Sequence, residues 1–255
     1  LRTGGGPRVE EELSPQQMVG AAQDARCASI AYTYTEPTLA HEYDLEVAKL
    51  AHARGIKNIH VTNGFISAEA LLALGPLLGA ANVDLKAMRD STYRRHAGAR
   101  LRPVLDTLRR MRGLGIWIEV TTLLIPGVND DLHELTDLAR FIAVELGPDV
   151  PWHLSRFHPA HRMRATPATS VALMRTAADI GREQGLRHVV LGNLGHDAHV
   201  DCHHCQARVI ERAGYAVVDN RVDPDGRCPE CGTPVDGVGM APGPDPRAVP
   251  AAPRI

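Results

Sequence analysis

No apolar run in the chain reaches the roughly 18 residues that a membrane-spanning helix needs, so the sequence contains no candidate span. Charge of one sign is also lacking. The 28 Lys and Arg against 30 Asp and Glu leave a formal net charge of −2, with a pI near 6.7. That balance argues against nucleic acid or an anionic membrane surface as a partner. A signal peptide is missing too: the chain opens on the polar, glycine-rich Leu1-Arg2-Thr3-Gly4-Gly5-Gly6. It also opens without an initiator Met, so a fragment or an unusual start is expected. Cysteine is scarce and unevenly placed. Four of the five lie within 30 residues as two Cys-x-x-Cys pairs, and Cys27 stands alone. In a chain that reads as cytoplasmic, that pattern favours metal over disulfides.

What is present fits one α/β domain with a small appendage. At 255 residues, 44% of them hydrophobic and 23% charged, the chain can bury a sizeable core. The first 14 residues read as a loop, and Ser14-Pro15 as an N-cap with Pro in the first turn of a helix running to Asp24. Strand-like runs then fall near 29–35, 58–64, 82–88, 116–125, 151–157 and 188–193. Helix-like runs fall near 38–54, 67–79, 102–114, 130–146 and 169–184. Gly55, Gly115, Gly147 and Gly185 close four of these helices, as C-terminal glycines do. Strands alternating with helices predict a parallel sheet. An open doubly wound sheet and a barrel are both compatible with this pattern.

The carboxyl ends of these strands carry polar residues, and α/β folds place their ligands there. Glu36 follows the first strand and is held against Pro37, which cannot extend a ladder. Asn63 and Gly64 follow the second strand. Asp84 and Lys86 lie in the third, Asn129-Asp130 lie beyond the fourth, Arg156 and His158 mark the fifth, and Asn193 the sixth. A single cleft at this edge would collect them.

From Gly195 the alternation stops. Cys202-His203-His204-Cys205 and Cys228-Pro229-Glu230-Cys231 are separated by 22 residues. Each pair presents two thiolates on a tight turn, and two such turns make a tetrahedral all-sulfur site. Arg208 to Arg212 and Gly214 to Val218 read as the hairpin between them, with Asp225-Gly226 as a turn. Four thiolates close the coordination shell, which suits a structural ion, zinc by default or a single iron. The neighbouring His196, His199, His203 and His204 are then bystanders. Residues 237–255, rich in Pro, Ala and Gly, read as a disordered tail.

An ordered series of motifs carries a resemblance. It comprises Tyr34-Thr35-Glu36-Pro37-Thr38, Thr62-Asn63-Gly64, Val83-Asp84-Leu85-Lys86, Glu119 to Gly127, His153 to Pro159 and the two Cys pairs. The series resembles the radical S-adenosylmethionine (SAM) enzyme of the AmmeMemoRadiSam system, a relative of pyruvate formate-lyase activating enzymes, over residues 12–240. The resemblance implies a partial TIM barrel, (β/α)6, spanning residues 1–195, followed by a four-cysteine zinc-ribbon-like module over 196–236. It implies an iron–sulfur oxidoreductase in which a [4Fe–4S] cluster reduces SAM to a 5′-deoxyadenosyl radical. Carried over by position, Thr35 and Glu36 contact the SAM amino group, Asn63, Asp84 and Lys86 the rest of the cofactor, and His158 the nucleoside. An ammonium needs a carboxylate, ribose hydroxyls suit Asn or Asp, and a carboxylate suits Lys. The bland alternatives are an Asp84–Lys86 ion pair and a hydrogen-bonded loop histidine. The implied partners are an external electron donor and either a substrate protein or other components of that system.

The sequence departs from the family in one respect. Its Cys-x3-Cys-x2-Cys cluster motif is absent, and the first barrel strand that precedes it is expected to be absent too. Cys27 reads as a buried core thiol. The chain is therefore either N-terminally truncated or a degenerate member, and it should lack radical chemistry without three such thiolates. A glycyl-radical activase and a non-catalytic, zinc-stabilised scaffold are the other functional classes that fit these residues.

Overall fold

The computed structural model describes residues 13–195, 199–214 and 216–242. Helix α1 (Pro15–Asp24) starts at Ser14 with a reciprocal cap. The Gln17 amide donates to Ser14 Oγ, and the Ser14 amide donates to Gln17 Oε1. Two orphan amides of the first turn are thereby satisfied, and Pro15 sits where its missing N–H costs nothing.

Six strands follow: β1 (Ser29–Tyr32), β2 (Lys57–Thr62), β3 (Leu78–Asp84), β4 (Trp117–Leu124), β5 (Trp152–Arg156) and β6 (Val189–Gly192). They form one parallel sheet in chain order, β1 to β6. That order decides between the two architectures left open by the sequence. A doubly wound sheet reverses direction at a switch point. Here each crossover moves one strand further the same way, as in a barrel.

The crossovers carry α2 (His41–Ala53), α3 (Ala68–Leu74), α4 (Asp90–Thr92), α5 (Leu101–Gly113), α6 (Leu132–Phe141) and α7 (Val171–Glu183). The Asp131 and Ser170 side chains cap α6 and α7, accepting from the backbone amides of Glu134 and Leu173. Gly55, Gly115, Gly147 and Gly185 all have positive φ after their helices, the conformation a β-carbon disfavours.

Alternation along β4 separates the two faces. Ile118, Val120, Thr122 and Leu124 are buried among the helices, whereas Trp117, Glu119, Thr121 and Leu123 look into the concave side. The helix-side core is apolar and close-packed around Trp152, Leu71, Leu74, Leu108, Met111, Leu135 and Ile142. Trp152 satisfies its N–H by donating to Thr122 Oγ1 at 3.0 Å, and that hydroxyl donates on to the Leu85 carbonyl at 2.8 Å.

The third strand lies four residues earlier than the 82–88 reading. Gly79, Ala80 and Ala81 have poor strand propensity but form its first half, with Ala80 and Ala81 paired to both β2 and β4 and Gly79 at the register shift against β2.

Beyond the barrel, β7 (Val200–Asp201), β8 (Arg208–Ala213) and β9 (Ala216–Asn220) form a three-stranded antiparallel sheet. Cys202, Cys228, Val209, Ile210, Val222 and Val235 are its small core, with Met240 packed against it. Among the described residues no helix is long and apolar enough to cross a membrane. Residues 1–12 and 243–255, and with them most of the expected leading loop and tail, lie outside the described residues, as does His196.

Candidate functional site

The carboxyl edge of the sheet holds the first group of sequence-predicted residues. β1 stops at Tyr32, and Tyr34 turns the chain with φ of +74° while its ring stands in solvent. The turn sends Glu36 back toward β2. Its Oε1 accepts from Thr62 Oγ1 at 2.6 Å and Thr38 Oγ1 at 3.1 Å, and its Oε2 accepts from the Asn63 amide at 2.7 Å. Glu36 is thus a brace between the ends of two strands. Oε1 is crowded, while Oε2 has a single partner and a lone pair left over. Thr35 is exposed on the same turn, and Asn63 folds its own side chain onto the Phe65 amide at 2.8 Å.

The next group lines a cavity of about 410 Å³, walled by Asp84, Lys86, Tyr93, Thr121, Ser155 and Asn193 among others. Lys86 Nζ lies 2.7 Å from Asp84 Oδ2 with both side chains partly exposed, so the pair forms as the bland alternative had it. It also opens onto the cavity. The Lys86 backbone is clamped on both sides. Its amide donates to the Tyr93 hydroxyl at 3.1 Å, and its carbonyl accepts from Asn129 Nδ2 at 2.7 Å. Buried Glu134 accepts from the Met88 and Arg89 amides just beyond. Burial pushes the Tyr93 phenol up to about 12, so it stays a neutral hydroxyl.

Tyr93, Asn129 and Glu134 shape this mouth. Sequence reasoning assigned no role to Tyr93 or Glu134, and read Asn129 only as one polar strand end among several. The available signal was Glu134 on the apolar face of an otherwise regular helix. His158 is exposed and does not line the cavity; its ring nitrogen reaches the Asn193 carbonyl at 3.4 Å. Asn193 in turn donates to the Arg156 carbonyl at 3.3 Å, so these strand-end residues bind one another.

Deeper in the concave face, Glu119 Oε2 accepts from His153 Nε2 at 2.8 Å. Burial pushes Glu119 up, but the hydrogen bond and charge of His153, with help from Trp117, hold it below the usual carboxylate range. Glu119 and His153 open the fourth- and fifth-strand motifs, and the resemblance gives neither a role. Their inward direction follows from sharing strand parity with Thr121 and Ser155.

The four cysteines of the second module converge. Cys202 and Cys231 sulfurs are 3.7 Å apart, as are Cys205 and Cys228, and all four lie within 4.8 Å of one another. A tetrahedron with metal–sulfur bonds of about 2.3 Å has edges of roughly 3.8 Å. The donor set therefore fits a zinc-like ion. Of the flanking histidines, His199 Nδ1 accepts from the Arg212 amide at 3.1 Å. His203 reaches an aspartate, Asp236.

Comparison with known proteins places this geometry. The sequence model of the Radical SAM superfamily matches residues 2–142. The chain belongs to the radical SAM superfamily. An uncharacterized protein of Methanocaldococcus jannaschii is 37% identical over 228 residues, which span 88% of this chain and 68% of that protein. Among solved structures, a domain of a pyruvate-formate lyase-activating enzyme from Bacteroides vulgatus aligns with a TM-score of 0.57 at 20% identity, over 65% of this chain and 99% of that one. A radical SAM methyltransferase from Sphaerobacter thermophilus aligns at 0.55 and 20% identity, over 71% of this chain and 58% of that one. These structural likenesses concern the fold.

Radical SAM membership implies SAM and a [4Fe–4S] cluster, which needs three thiolates beside the SAM site. Four of the five are consumed in the closed set at Cys202, Cys205, Cys228 and Cys231. The fifth, Cys27, is exposed rather than buried, because it sits on the short link between α1 and β1 instead of inside either. That link enters β1 at its amino end, the opposite end of the strand from Glu36. No three-thiolate set therefore exists at the strand carboxyl ends, and the residues of this chain do not fit the cluster.

Proposed function

We propose that this chain is the SAM-binding barrel of a radical SAM enzyme of the AmmeMemoRadiSam type, and that Glu36, Asn63, Asp84 and Lys86 hold the cofactor. The ordered motif series supports the subfamily. The observation that carries the binding role is the fixed Glu36 carboxylate. Four hydroxyl and amide donors orient it just beyond β1, and Oε2 keeps acceptor capacity for an ammonium. Along the same edge, at the ends of β3 to β6, the 410 Å³ cavity, which Glu36 and Asn63 do not line, is of the size that holds small cofactors, with the Asp84–Lys86 pair offering one group of each sign.

These residues bind and orient; none of the 255 supplies the cluster thiolates. SAM titrated into the chain in a calorimeter should bind saturably. Glu36→Gln, which keeps an acceptor at Oε1 but removes the charge, should weaken binding about tenfold or more, as a charge-assisted hydrogen bond does. Lys86→Met should weaken it as well. Unchanged affinity in both variants overturns the assignment. A second reading, a SAM-fold scaffold without catalysis, is favoured by the placement of Cys27 and predicts binding with no cleavage in any longer form of the protein.

A further inference from the structure

A second cavity, of about 570 Å³, lies between the concave face and the four-cysteine module, lined by Glu119, His153, His188, His203, Arg212 and Asp236 among others. Three of these residues converge on one point from separate parts of the chain. His188 immediately precedes β6, His203 lies between two thiols of the module, and Asp236 follows the second Cys pair. His188 Nε2 is 2.9 Å and His203 Nδ1 is 3.3 Å from the same carboxylate oxygen, Asp236 Oδ2. The two rings meet edge to face at 87°, and all three donor atoms lie within 4.8 Å of one another.

We infer that His188, His203 and Asp236 form a second metal site, for a zinc-like divalent cation, distinct from the four-thiolate site. Two imidazoles and one carboxylate are a donor set that borderline transition ions accept. With metal–ligand bonds of about 2.0–2.2 Å, the edges of a tetrahedral shell are roughly 3.3 to 3.6 Å; the 3.3 Å His203 edge matches, and the 2.9 Å His188 edge is a hydrogen bond that would open by about 0.4 Å around an ion. Entry of an ion needs the two ring nitrogens that face Asp236 to present lone pairs, their protons moving to the other ring nitrogen or to solvent, and Arg187 to yield the carboxylate. The three protein ligands leave at least one position for water or a small ligand, and all three line the cavity. The ion would also join β6 of the barrel to the module through bonds stronger than the present hydrogen bonds.

Charge acts in both directions here. Arg187 Nη1 donates to Asp236 Oδ1 at 3.1 Å and to Oδ2, the oxygen the histidines face, at 3.2 Å, and so competes directly for the carboxylate. Arg182 and Arg212 also line the cavity. Four thiolates around a divalent ion carry a net charge of −2 and offset these cations from one residue away, at Cys202. Arg187 is therefore the position whose removal should favour the ion.

The test is metal content of the full chain after saturation with Zn2+ and removal of loosely held ions, by elemental analysis. Wild type should retain two equivalents. Asp236→Asn and the double variant His188→Ala/His203→Ala should retain one, the four-thiolate ion, whose presence reports that the module is folded. Arg187→Ala should retain two and hold the second more tightly in competition with a chelator. A single equivalent in wild type overturns the site, as does a second equivalent that survives in the folded double variant. Should the double variant fail to fold, Asp236→Asn and Arg187→Ala decide: two equivalents in Asp236→Asn, or weaker binding in Arg187→Ala, overturn it.

Discussion

Two carboxylates near the edge strand show how differently one residue type behaves under different burial. Glu36 is bound by hydroxyl and amide donors and serves the proposed amine site. Asp44, on α2, is buried with Oδ2 unpartnered, and burial raises it from 3.8 to about 6. The folded state therefore binds this proton more tightly than the unfolded chain. The contribution of Asp44 is most favourable below about pH 4, declines as pH rises toward 6, and stays lost above. His60 runs the other way. Burial lowers it from 6.5 to about 4, so its contribution is full above about pH 6.5 and is lost as pH falls toward 4. Asp44→Asn should raise the melting temperature at pH 8 and leave it nearly unchanged at pH 4. An equal shift at both pH values would contradict the burial argument. The Asp44 and His60 environments were not legible in sequence, because both sit among ordinary helix and strand residues. Glu36 was legible, because Pro37 marks where its strand stops.

At the scale of elements, most boundaries followed from hydrophobic period and from glycines past helix ends. The exceptions were β1, read to 35 but ending at Tyr32, β9, read two residues early, and β3, hidden by Gly79, Ala80 and Ala81, whose place in the sheet is set by neighbours on both sides rather than by propensity. The same kind of packing constrains α7. A β-carbon at Gly181 would meet Val189 Cγ2 at 2.9 Å and the Trp152 ring at 3.0 Å. Ala is the better helix former by about 1 kcal/mol, but overpacking costs about 1–3 kcal/mol. Gly181→Ala should therefore lower stability in a urea melt, and a gain would show that this contact yields easily. Gly64, at φ of +73° and with Val83 Cγ1 2.8 Å from a built β-carbon, combines strain with overlap; Gly64→Ala should cost more, about 2–4 kcal/mol. The four-cysteine module has few buried apolar residues, too few to fold unaided. Stripping its ion with a strong chelator should expose it to protease while the barrel resists, leaving a fragment that ends near residue 195. Resistance of the whole chain would contradict a structural ion.

The whole molecule divides the chemistry in an uneven way. The radical SAM barrel is complete enough to align with solved relatives, and its strand ends carry the residues proposed to hold SAM. Yet its thiols are committed elsewhere: four to the module, one to the wrong end of β1. The division of cysteines was visible in sequence through spacing alone. The second cavity, with Glu119, His153 and the His188–His203–Asp236 cluster, was not, since residues more than 100 positions apart meet there only through the barrel and the docked module. The decisive measurement is chromatographic detection of 5′-deoxyadenosine after iron and sulfide reconstitution and addition of dithionite and SAM. The 255-residue chain should release none, and the protein extended upstream to include a Cys-x3-Cys-x2-Cys loop should release it. Cleavage by the 255-residue chain, or none by the extended protein with its cluster assembled, would contradict this division of the site.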